Sequence, residues 1–230
     1  MANHKLGAHH DETKNQILYV AARSFLDNGY NNTTIREIAK ETGFSSGTIT
    51  NLYSGKEEML SGLVAIAIEK QFEVTNKLLY GKTDDKIMFY AAETALQLHI
   101  CELNENLREV YMGAYSFEVP SKLLHNAVAD KMEYVFKEQF PGLAAKDFYI
   151  LELASGGVMR GYMSEPCSMW FTMEQKVRAF LECSLAIYRI SEEKIKEACE
   201  FVKQFDFEKI ARQTVDEIIE YLDKKKKELE

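Results

Sequence analysis

The chain is 230 residues long, 46% hydrophobic, and carries a net charge of −8 at pH 7 with only three prolines and twelve glycines. This length suits a small domain joined to a larger one, and the abundance of Leu, Ile, Ala, Glu and Lys favours an all-helical chain. No run of 18 uncharged apolar residues is present and the first fourteen residues lack an apolar core, so neither a membrane-spanning helix nor a secretory signal is expected.

In chain order, Asp11 is placed to cap a first helix that ends before Gly29, with Tyr30 packing beneath the next two. Thr34 and Glu37 have capping-box spacing, Ser45 is a natural N-cap after Gly43, and Ser54 with Glu57 has the spacing of a second box. Ile35, Ile38 and Ala39 follow helical periodicity, Phe44 fills a turn, and Ile49, Leu52 and Tyr53 resume the period. Two short helices joined by a Gly-containing turn make a helix-turn-helix, whose second helix, about 46–53, would enter a DNA major groove. A long helix over 56–79 connects this head to further helices at about 84–103, 106–115, 120–139, 144–163, 172–189, 191–204 and 207–227, with the run 224–227 read as a solvated helix end. The predicted architecture is all-α: an N-terminal arm and three-helix head over 1–55, then a larger helical bundle over 56–230. No repeat or low-complexity segment is found.

The acidity does not veto DNA binding. Residues 1–60 hold six Lys/Arg against seven Asp/Glu, so most of the negative charge belongs to the body. Glu37, Glu57 and Glu58 sit in first helical turns, where capping and dipole roles account for them. Few phosphate contacts per subunit are expected. On the recognition helix Ser46, Gly47, Thr48, Thr50 and Asn51 share the outward face while Ile49 and Tyr53 turn inward. Asn51 has the chemistry for a bidentate pair with adenine, and Gly47 allows close approach of the backbone.

Residues 13–60 resemble the tetracycline-repressor (TetR) family of transcriptional regulators. The likeness is carried by the lead helix over 17–26, the link Asn28-Gly29-Tyr30, the block over 34–39, Gly47-Thr48-Ile49, and the closing stretch over 53–60. It implies that Arg36 reaches a base or phosphate and that Lys56 contacts a phosphate. One departure is Thr50, where the family usually carries a phosphate-contacting Tyr; a thymine methyl, a nearer phosphate or no contact are the options there.

Beyond the head no motif stands out. The resemblance places an inducer among the fifth to eighth helices, and Gln97, His99, Tyr111, Tyr115 and Glu152 are polar groups in apolar helices there, expected to converge on a small, mainly apolar effector. Gly156, Gly157 and Gly161 lie in one predicted helix, at a cost of roughly 1 kcal/mol each against Ala. Either they permit close helix approach, with Gly157 and Gly161 on one face, or the helix is kinked or unwound at Gly156-Gly157. The resemblance implies a homodimer through the helices over 144–163 and 172–189. Cys101, Cys167, Cys183 and Cys199 are scattered, without Cys-x-x-Cys pairs or ligand-spaced histidines. They read as reduced thiols of a cytoplasmic protein, a redox pair being the lesser alternative. No catalytic cluster, metal site or cofactor is expected, and an enzyme is disfavoured. The expectation is a ligand-responsive regulator, most family members being repressors, that binds a palindromic double-stranded operator as a dimer. The alternative is a regulator or accessory protein of the same fold whose body binds a protein partner.

Overall fold

The computed structural model describes residues 2–229, with side chains from residue 10 onward, and every regular element among them is an α-helix. The head comprises α1 (Ala2–Asn28), α2 (Ile35–Thr42) and α3 (Ser46–Leu52). The body follows as α4 (Lys56–Leu79), α5 (Lys86–Glu102), α6 (Glu105–Ser116), α7 (Glu118–Phe136), α8 (Ala145–Ser164), α9 (Met173–Ile187), α10 (Glu192–Val202) and α11 (Phe207–Leu229).

Local chemistry sets most of the boundaries. Thr34 Oγ1 accepts from the Glu37 amide at 3.2 Å while Glu37 Oε2 accepts from the Thr34 amide at 2.8 Å, closing the predicted box. Ser45 caps α3 through the Thr48 amide, and Gly43 (φ 75°) ends α2 in the left-handed turn that a side chain would strain. Asp85, Asn104, Thr172 and Ser191 cap α5, α6, α9 and α10. Two expected caps are corrected. The first helix runs upstream through Asp11, so Asp11 does not cap it. Ser54 and Glu57 form no box, because an extended Gly55 stands at the N-cap of α4. That moves the reach-back by one residue, and Glu58 accepts from the Ser54 amide at 2.9 Å.

α5 is apolar nearly all round, and such a helix has to lie inside. It forms the axis of the body, packed against α4, α6, α10 and α11. Its Tyr90 ring meets Phe136 of α7 and Tyr188 at the end of α9, which stack face to face at 4.1 Å. α8 runs as one continuous helix through its glycines, so the chain is not unwound there. Gly156 faces inward, where a Cβ would stand 2.7 Å from His125, whereas Gly157 and Gly161 face open space.

α11 returns from the body to the head. Tyr221 meets Tyr19 edge-on, Asp223 pairs with Arg23 at 3.1 Å, and Lys226 pairs with Glu41 at 3.1 Å. The terminal lysine run is therefore not wholly a solvated end. α6 supports the head from the other side: Asn106 donates to the carbonyl of Asp27 at 2.6 Å, and Glu109 accepts from the Asn31 amide at 3.0 Å.

A buried ion cluster fastens the far end of α5. The fully buried Lys176 ammonium donates to the Glu102 carboxylate and the Glu165 carbonyl, while Arg108 and the Cys167 amide also donate to Glu102. Burial alone would raise the Glu102 pKa, but the bonds from Lys176 and Cys167 hold it below its usual value. Lys176→Ala should therefore cost about 1–3 kcal/mol in denaturant unfolding, since it leaves the Glu165 carbonyl unmet and takes one donor from Glu102, which keeps Arg108 and the Cys167 amide. Lys77→Ala, at an exposed pair with Glu73, should leave the midpoint unchanged.

Candidate nucleic-acid interface and internal chamber

α3 is held from below and free above. Ile49 is fully buried, and the buried Tyr53 donates its hydroxyl to the Lys14 carbonyl of α1 at 2.8 Å. Ser46, Gly47, Thr50 and Asn51 are exposed, and so is Arg36 in the first turn of α2. Thr48 is half-buried and lies 2.9 Å from the capping Ser45 hydroxyl. The Thr50 hydroxyl is directed back to the Ser46 and Gly47 carbonyls at 3.1 and 3.2 Å, so its proton is already committed. Asn51 carries no side-chain bond among the described residues, and the Gly47 backbone has only the Ser45 hydroxyl near its absent Cβ, at 3.6 Å.

Lys56 is turned into the head. Its ammonium donates to the carbonyls of Tyr30 and Thr33, both at 2.7 Å, and sits 4.3 Å from the centre of the Tyr30 ring. Burial lowers its pKa, against the pull of Glu109 and Glu37. Lys14 and Arg23 are likewise taken up, by Glu58 and by Asp27 with Asp223. Arg36 and Lys40, one turn apart on α2, have no ion pair among the described residues. Lys40 was missed in the sequence, where nothing separated it from its paired neighbours.

The body holds a narrow, partly open chamber of two lobes that share Ile68, Gln97 and Tyr115. Their volumes are about 30 and 20 Å3, room for a water or two in each. The apolar lobe lies against α4 and α6, and two buried polar atoms on its lining, Gln71 Oε1 and Tyr111 Oη, have no hydrogen-bond partner. The other lobe is lined by rings and by two buried carboxylates, Glu93 and Glu152. Gln97 donates to the Tyr115 hydroxyl at 3.0 Å. Glu152 accepts from Ser155 at 2.9 Å and lies 3.3 Å from His125 Nδ1. Burial pushes the Glu152 pKa up, opposed by His125 and Ser155. Burial, with the neighbouring Glu152 charge, pushes Glu93 up to about 8.

Four of the five predicted chamber residues, Gln97, Tyr111, Tyr115 and Glu152, thus come together. His99 does not, and its expected convergence is corrected. It lies a half-turn away on α5, with Nδ1 2.8 Å from the Ala95 carbonyl and its ring 5.5 Å from that of Phe207. There it borders a separate groove of about 300 Å3 between α9, α10 and the start of α11. Glu93 and His125 were missed. Glu93 carried a legible signal, as the one acidic residue within the run 87–101.

The architecture is a small helix-turn-helix head on a larger helical body, and comparison with known sequences bears on the head. Residues 17–63 match the sequence profile of the bacterial regulatory proteins of the tetR family. The match is confined to the head, which is therefore of the tetR type. A stretch of 102 residues, 44% of the chain, is 26% identical to an uncharacterized HTH-type transcriptional regulator, YfiR of Bacillus subtilis (strain 168), and spans about half (46%) of that protein. The crystal structure of RolR in complex with resorcinol superposes with a TM-score of 0.64 at 16% identity, covering 85% of this chain and 95% of RolR. The body therefore shares the fold of RolR as well as the head.

The buried carboxylate gives a signed pH dependence. Folded Glu93 keeps its proton up to a pH of about 8, while in the unfolded chain it ionises near the ordinary value of 4.5. Unfolding therefore releases this proton between those values, and its contribution to stability is lost as pH rises through that window. Glu93→Gln should flatten the fall and raise the melting temperature at pH 8, by about 2–4 °C for each 1 kcal/mol recovered. Thermal melts of both proteins at pH 5 and pH 8 check it; an equal shift at the two pH values would contradict the assignment.

Proposed function

We propose that the protein is a one-component transcriptional regulator, most simply a repressor, that binds a palindromic double-stranded operator as a homodimer and is released by a small-molecule effector. The observation that carries the reading is α3: a short helix anchored by Ile49 and Tyr53, presenting only small polar groups outward, within a tetR-family head. Residues 1–55 serve as the DNA-binding unit, and residues 56–230 as the effector and dimerisation unit. Asn51 reads a base edge, while Ser46, Gly47, Thr48 and Thr50 pack on the groove floor or sugar-phosphate edge. With its hydroxyl proton committed, Thr50 offers DNA its methyl and an oxygen lone pair, in place of the donor a tyrosine would bring. Arg36 and Lys40 hold phosphates. Lys56 fixes the corner beneath α2 and retains a third N–H for a phosphate.

The dimer forms through α8 and α9. Exposed Ile150, Leu153, Ala154, Gly157 and Gly161 make one outward stripe on α8, with Cys183 and Ala186 exposed on α9. An apolar stripe with glycines at its centre suits close packing of a second helix pair. The effector occupies the chamber, through Gln97, Tyr111, Tyr115 and Glu152, together with Glu93. The unpaired polar atoms on its lining favour a ligand site over a solid core that serves a protein partner. RolR, of the same fold, was crystallised with a small aromatic molecule, resorcinol. Spreading the chamber would push α4 and α6, which support the head, and couplings of this kind are typically about 1–3 kcal/mol.

Selection from random duplex DNA should recover paired, inverted half-sites whose centres lie about 34 Å or a multiple apart. Recovery of asymmetric sites alone would remove the symmetric dimer. Asn51→Ala should cost roughly 1–3 kcal/mol and relax one base position, whereas Arg36→Ala should weaken all sequences alike and lower the salt slope by about one. Identical, sequence-independent losses in the two variants, read by operator titration at several salt concentrations, would show that α3 is not the reading helix.

A further inference from the structure

The chamber holds more acid than base. Glu93 and Glu152 face the same lobe, and only Glu152 has polar partners, in Ser155 and His125. Glu93 is buried with no hydrogen bond or ion pair among the described residues. The ammonium that bears on it, that of Lys131, is engaged elsewhere: it pairs with Glu69 at 3.1 Å and sits 4.1 Å from the centre of the Phe72 ring. The rest of the lobe is supplied by ring faces, those of Phe72, Tyr90, Tyr115 and Phe180, and by Met132 and Met159. A desolvated carboxylate without a cation is costly and survives by holding a proton. A lobe that combines such a carboxylate with aromatic faces lacks one thing, a positive charge of low hydration.

We propose that the effector is a lipophilic organic cation, with a single ammonium or quaternary nitrogen on an apolar frame, whose charge lies between Glu93 and Glu152 against the surrounding rings. The proposal rests on the reading of the chamber as the effector site and names the chemistry of what enters it. The apolar frame extends into the neighbouring lobe beside Leu63, Val64 and Val110. The flexible methionines allow the lobe to widen around the head group. The cation takes over the neutralising role of the Glu93 proton, which leaves to solvent as the ligand binds. His125 and Lys131 on α7, Tyr111 and Tyr115 on α6, Tyr90 beside Glu93 on α5 and Tyr188 after α9 are the other titratable groups around the pair.

The test compares two probes of one shape, benzyltrimethylammonium and its uncharged isostere neopentylbenzene, by calorimetric titration and thermal shift on the full-length protein. The cation should bind at least tenfold more tightly than the isostere. Glu93→Gln and, separately, Glu152→Gln should remove most of that preference while leaving the isostere unaffected, with helical content checked by circular dichroism. Equal or tighter binding of the isostere to the unmodified protein, or a cation affinity unchanged in both variants, overturns the proposal but leaves the chamber as an effector site. Binding of neither probe overturns both. Carboxylate-dependent cation binding that leaves operator affinity unchanged upholds the ligand class and removes only the coupling to DNA.

Discussion

The corner at Tyr30 determines where the head sits. Here α1 ends at Gly29 with φ 87°, and a Cβ at that position would lie 2.7 Å from the Glu109 carboxylate of α6. The next ring, Tyr30, is wedged between Phe25 and Phe117 at 5.2 and 5.0 Å, joining α1 to the end of α6. Lys56, from the first turn of α4, closes the corner by taking the carbonyls of Tyr30 and Thr33 and covering the ring. Four helices meet through one aromatic residue and one ammonium. The orientation of α2, and with it the outward face of α3, follows from that joint.

The second constraint is the central position of α5. A helix buried on every side has no solvent face for its polar residues, so each must be satisfied inside or left unmet. Gln97 finds Tyr115, and Thr94 bonds back to its own helix at the Tyr90 carbonyl. Among the described residues Glu93 finds no polar partner. Core design for stability alone would place an apolar residue there, so the retained acid is a local departure of the kind that marks a working site.

The head was largely legible in the sequence, because its signals are short-range. The Thr34–Glu37 box, the Ser45 cap and the Gly43 turn each depend on residues three or four apart, and each forms as read. The expected box at Ser54 failed by one position, since an extended glycine and a cap serine look alike to a spacing rule. The body was legible as helices but not as a site. Whether Gln97 and His99 face one chamber depends on how α5 is rotated against its neighbours, and two residues along a helix turn a side chain by about half a revolution. Glu93 and Glu152 meet across 59 positions of chain, and Lys226 reaches Glu41 across 185. No local pattern encodes such meetings. Only the isolation of one acid within an apolar run hinted at Glu93.

The narrowness of the chamber bears on time as well as on affinity. Lobes of about 30 and 20 Å3 admit water and little else, so a larger guest has to wait for α4, α7 and α8 to part. Uptake of such a guest is then governed by how often the narrow lobes widen, and association would run well below the diffusion limit. Release is subject to the same gate. For the proposed effector this means a residence at least as long as the interval between openings, and a response that would outlast the fall in its surrounding concentration.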